Sequence, residues 1–178
     1  MATRGRYRDA TPAIPSVFLY DAAGDTSFDD EFHIWDTIEF ITSHFSYTVD
    51  DDKIFLQRGE GFYEIIFQCS YWGEREESET VRDIVYLNGV AMDGAESWCT
   101  HGKVWSAAAQ GYNWFWSNNN IHIIKYLKPG DYIQVYGDCS YAAKIKANTC
   151  RLIIKFMPME GWDNSSAGRV EYKGGVSR

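Results

Sequence analysis

The chain has 178 residues, 45% of them apolar and 16% aromatic, with a formal charge of -8 and a pI near 4.9. That length suits one domain, which buries roughly 70% of the surface its unfolded form exposes, so a core forms without staples. The acidic balance argues against general attraction to nucleic acid or anionic membrane, and no apolar stretch approaches the length that crosses a bilayer.

Residues 1–15 read as a flexible basic arm, with Arg4, Arg6 and Arg8 followed by Pro12 and Pro15. V-F-L-Y at 17–20 predicts a first strand, ended by the turn-prone D-A-A-G-D. Between Phe28 and Thr42 the apolar residues Phe32, Trp35, Ile38 and Phe40 fit no single period, which leaves a short helix or an irregular crossover open. Phe45, Tyr47 and Val49 then alternate with polar residues, turn at Asp50 to Asp52 and return through K-I-F-L-Q as a hairpin. The next strand, F-Y-E-I-I-F-Q-C-S-Y-W, is expected to be the longest. It places Tyr63, Ile65, Phe67, Cys69 and Tyr71 on one face and Phe62, Ile66 and Trp72 on the other.

The acidic run at 74–79 reads as a solvated loop, and V-R-D-I-V-Y-L-N-G as a strand ending in an Asn88–Gly89 turn. From there to about Asn120 the chain looks loop-rich, although the alternation in Y-N-W-F-W favours a strand locally. I-H-I-I-K-Y-L-K-P-G-D-Y-I-Q-V-Y-G-D-C, from Ile121 to Cys139, predicts two strands joined as a hairpin at Pro129–Gly130. R-L-I-I-K-F-M at 151–157 predicts the last strand. The domain is thus 16–158, and 159–178 is a Gly- and Ser-rich tail.

This order of strands and turns predicts an all-β, antiparallel jelly-roll sandwich. Several strands are apolar on both faces. Leu127, Ile133 and Val135 oppose Tyr126, Tyr132 and Tyr136, and Leu152, Ile154 and Phe156 oppose Ile153. One face must then be covered from outside, and self-association is the economical cover.

G-F-Y-E-I-I-F at 61–67, I-V-Y-L-N-G at 84–89, I-I-K-Y-L-K-P-G-D-Y-I-Q-V at 123–135 and L-I-I-K-F at 152–156 occur in an order that resembles the tumour necrosis factor and complement globular-head superfamily. The resemblance covers about Phe45 to Met157. It implies a sandwich of about ten strands that forms a homotrimer, with Tyr63, Tyr132 and Phe156 as candidate trimer contacts. Tyr126 and Tyr136 join them from the two-faced strands. The chain shows no collagen-like stalk or membrane anchor, and its Trp98 to Trp116 insert has no counterpart in that pattern. It therefore looks more like virus- or bacterium-encoded members that serve as spikes, head fibres or decorations.

Trp105, Tyr112, Trp114, Trp116 and Asn118 have the chemistry of a glycan-binding surface, where rings stack on sugars and amides bond hydroxyls; aromatic clusters are more often packing. The acids at 29–31 and 50–52 lack the spaced order of a calcium loop. Cys69, Cys99, Cys139 and Cys150 form no Cys-x-x-Cys pair. Cys139 and Cys150 are placed to close a loop, yet buried free thiols are the commoner state. His33, His44, His101 and His122 are isolated along the chain, so a cupin-like metal site is poorly supplied. Asn164-Ser165-Ser166 matches a glycosylation sequon, which matters only in a secreted chain.

No catalytic residue, metal or cofactor is expected. The leading expectation is a non-enzymatic trimeric jelly-roll protein of a viral particle or extracellular surface, made in a cytosol because M-A-T-R-G-R-Y-R-D lacks a signal peptide's apolar run. Its partners would be its own copies and a host receptor or glycan, with neither nucleic acid nor membrane insertion. A soluble lectin is the alternative, and a cupin-like metalloenzyme ranks third.

Overall fold

The computed structural model describes residues 14–22, 27–28, 30–49, 51–73, 79–108, 110–140 and 143–158, without the side chains of 27–28, 104–106 and 111–114. The basic arm up to residue 13, the acidic run at 74–78, Asp29, Asp50, the sequon and the tail from 159 lie outside the described residues. Among the described residues every regular element is a strand.

Two antiparallel sheets face each other, as the jelly-roll expectation requires. The first contains β1 (Ser16–Tyr20), β4 (Thr37–Ile41), β7 (Gly61–Trp72), β11 (Ser117–Leu127) and β14 (Arg151–Phe156), in the order β4-β1-β14-β7-β11. β13 (Ala143–Ile145) pairs with the end of β7 and carries β2 (Ser27–Phe28) beside it. The second runs β10-β9-β8-β12-β6-β5, from β10 (Gly111–Phe115), β9 (Val90–Ser106), β8 (Glu79–Leu87) and β12 (Tyr132–Cys139) to β6 (Ile54–Leu56) and β5 (Phe45–Ser46), with β3 (Glu31–Phe32) also on β12.

The core is built by period-two alternation. Tyr63, Ile65, Phe67, Cys69 and Tyr71 of β7 are all fully buried, together with Leu152 and Ile154 of β14 and Val81 and Val85 of β8. All four cysteines are buried free thiols. Burial pushes the Cys99 thiol up to about 12.

Two expectations need correction, and one alternative is settled. Ile121 to Cys139 is not a hairpin: β11 pairs with β7 in the first sheet and β12 with β8 in the second, so the Pro129–Gly130 turn carries the chain from one sheet to the other. The turn is stitched to β6 instead, through Gly130 N–H to Leu56 O at 2.8 Å and Leu56 N–H to Asp131 O at 2.8 Å. Of the two alternatives for Phe28 to Thr42, the irregular crossover is the one found. It supplies β2, β3 and β4 to alternating sheets, which is why no single period fits it.

The stretch after Asn88 is mostly strand rather than loop, with β9 longer than β7. Asn88 and Gly89 do form the expected turn, at φ 54° and 76°. Beyond it the buried positions run Met92, then Ala95 and Cys99, an interval of three before the even spacing resumes. Gly94 at φ 72° and a register shift between Ile84 and Tyr86 on β8 show the bulge that breaks the phase.

Candidate functional site

The outer face of the first sheet carries a row of apolar side chains set by strand register. Phe40 on β4 lies opposite Phe18 on β1, Phe18 opposite Ile153 on β14, Ile153 opposite Ile66 on β7, and Ile66 opposite His122 on β11. Alternation adds Tyr20, Phe62, Ile124 and Tyr126 to the same face. Phe62 and Tyr126 meet edge to face at 5.3 Å, and Phe18 and Tyr20 lie at 6.2 Å. Ile124 is 56% exposed, Phe40 45% and Tyr126 37%.

Polar rows flank the apolar one. Arg151, Gln68 and Asn120 are register partners on one side, and Lys155 and Glu64 on the other, with His122 Nε2 2.8 Å from Glu64 Oε1. These rows are themselves mixed, since Tyr20 pairs with Arg151 and Ile124 with Glu64, so the face alternates apolar and charged rows, as many subunit interfaces do.

The five residues expected at one trimer contact do not share a surface. Tyr63 and Phe156 are in phase with the core and pack on each other at 5.3 Å inside the sandwich, where no second chain reaches them. Tyr63 donates its hydroxyl hydrogen to Gly59 O at 2.6 Å, and a Cβ on Gly61 would come within 2.6 Å of the Phe156 ring. The Gly-x-Tyr motif is therefore a core motif here. Tyr132 and Tyr136 lie on the outer face of the second sheet, against Phe55 at 5.4 Å and Phe32 at 5.1 Å. Only Tyr126 of the five stands on the apolar row's face.

Of the glycan candidates, Trp116 and Asn118 are exposed near the start of β11, Trp116 being 48% exposed with Trp72 at 5.7 Å and Lys146 over its ring at 4.5 Å. Trp105 and Tyr112 are paired in register across β9 and β10, and Trp114 pairs with Lys103; the Trp105, Tyr112 and Trp114 side chains lie outside the described residues.

A second arrangement, hidden between the sheets, has no local signal in the sequence. Asp83 on β8 accepts hydrogen bonds from His33 Nε2–H at 2.8 Å, Tyr71 O–H at 2.8 Å and Asn119 Nδ2–H at 2.7 Å. Burial lowers the affinity of His33 for a proton, but Asp83 outweighs it, so the imidazole stands above its ordinary value. Three of the four histidines isolated along the chain thus find carboxylates in space: His33 with Asp83, His122 with Glu64, and buried His101 with buried Glu79 at 3.5 Å.

No family model matches the sequence, and no curated protein does. Among solved structures, murine APRIL is similar, with a TM-score of 0.54 and 15% identity, covering 81% of this chain and 100% of that one. Together with the two facing antiparallel sheets, that likeness defines a tumour-necrosis-factor-like jelly-roll fold. No helix among the described residues is long and apolar enough to cross a membrane.

Proposed function

We propose that this chain is a non-enzymatic structural or surface protein that assembles as a homotrimer through the outer face of the β4-β1-β14-β7-β11 sheet. The observation that carries the reading is the Phe40–Phe18–Ile153–Ile66 row with exposed Ile124 and Tyr126 beside it. An exposed apolar row favours cover by further copies of the chain, and closed symmetric assemblies are the common way to provide it. Its setting is a viral particle or an extracellular surface, where jelly rolls are building units. Assembly through the first sheet leaves the second sheet outward, free to meet a host receptor or glycan.

Light scattering of the purified chain tests the assembly. The expected particle has three times the 20.4 kDa chain mass. Ile153→Asp places a carboxylate in the middle of the covered row and should release folded single chains, judged by unchanged far-UV circular dichroism. A wild-type protein that stays at the chain mass at micromolar concentration overturns the proposal.

A second reading, carbohydrate binding, draws on exposed Trp116 beside Asn118. Glycan-array binding that Trp116→Ala abolishes while the oligomer persists would support it; equal binding by that variant would remove Trp116 from the site.

A further inference from the structure

The polar cluster between the sheets ends on two sulfurs. His33 gives Nε2–H to Asp83, which turns Nδ1 toward Cys150 Sγ at 3.4 Å. The β7–β14 register, carried one step past the Gln68–Arg151 pair, sets Cys69 across from Cys150. Donor atoms of His33, Cys69 and Cys150 all lie within 4.8 Å of one another, and all three residues are buried.

An imidazole that donates its far nitrogen to a carboxylate is oriented as metal-ligating histidines are. A tetrahedral centre with its usual bonds to sulfur and nitrogen would hold those two atoms about 3.6 Å apart, close to what the protein already provides. We propose that His33 Nδ1, Cys69 Sγ and Cys150 Sγ bind one thiophilic d10 cation, Zn2+ or Cu+, within each protomer. Two sulfurs and an imidazole select against Mg2+ and Ca2+, which take oxygen donors.

Binding replaces two S–H bonds by sulfur–metal bonds and releases those two protons to solvent, together with the Nδ1 proton of any His33 that is charged beforehand. With Zn2+ the two thiolates and the cation cancel, which leaves the Asp83 carboxylate, held by His33, Tyr71 and Asn119, as the net charge of the cluster; with Cu+ one more negative charge remains, but three donors complete the shell. Because the donors are enclosed, the cation enters during folding. The site ties β7 to the start of β14 and to the segment after β3, from inside the sandwich.

The test refolds the reduced full chain with Zn2+ or Cu+ in separate arms, passes it over a weak chelator and counts metal per chain. One arm should retain about one equivalent, while Cys69→Ser and Cys150→Ser retain about a tenth of that or less and Cys99→Ser retains all of it. Should the serine variants fail to fold, X-ray absorption on the loaded wild type decides, two sulfur neighbours and one nitrogen supporting the site and an oxygen shell overturning it. The proposal also fails if neither metal is retained, if a Cys69→Ser/Cys150→Ser double variant retains as much, or if mass spectrometry finds Cys69 joined to Cys150 as a disulfide with no uptake.

Discussion

At the scale of single residues, Gly61 and Tyr63 show how a motif can be recognised correctly and placed wrongly. The glycine is required by the Phe156 ring that fills the space above its Cα, and the tyrosine by a buried hydrogen bond to Gly59 O. Gly61→Ala should therefore destabilise by about 1–3 kcal/mol, read as a lower midpoint in urea with the slope unchanged. Burial holds the Tyr63 phenol above its ordinary 10. The folded chain thus keeps a proton that the unfolded chain loses above pH 10, so this contribution to stability is complete below pH 10 and declines as pH rises above it. Urea midpoints from pH 8 to 11 should fall only in the upper part of that range, and less so in Tyr63→Phe.

At the scale of elements, legibility followed phase. β7 and β14 were readable because their buried residues keep strict alternation from end to end, and β12 because apolar Ile133 and Val135 alternate with polar or aromatic neighbours, even though Gln134 between them is buried too. β9 was hidden by its bulge: the inward phase slips between Met92 and Ala95, and the stretch then looks irregular. Gly94 has open space above it but sits at φ 72°, so its constraint is backbone alone. Gly94→Val should cost about 1–2 kcal/mol, and Gly94→Asn less, since asparagine tolerates that region; thermal melts of the two would separate them. Pairing was less legible than strand existence. Alternation on both sides of Pro129–Gly130 is equally consistent with a hairpin and with a crossing between sheets, and it takes the pairing of β11 with β7 and of β12 with β8 to distinguish them. The His33–Asp83–Cys150 cluster was illegible because its members are contributed from positions 33 to 150 by different strands and connections.

At the scale of the whole molecule, the outer apolar row ties stability to association. If three chains share it, unfolding is coupled to dissociation and the melting temperature should rise with protein concentration, whereas Ile153→Asp should melt at one temperature throughout. Calorimetry over a hundredfold dilution series measures this. One further consequence follows from where β14 sits, between β1 and β7 in the middle of its sheet. Among the described strands, β1 is made first and the long β7 midway, yet both share a neighbour made after every other, so during translation both keep an unpaired edge. Closure of the sandwich is then a late event dominated by distant pairings, slow by nature and open to aggregation meanwhile. A chain cut at Cys150 would keep nearly all its strands yet lose the one that joins its beginning to its middle, and should emerge from cells in inclusion bodies.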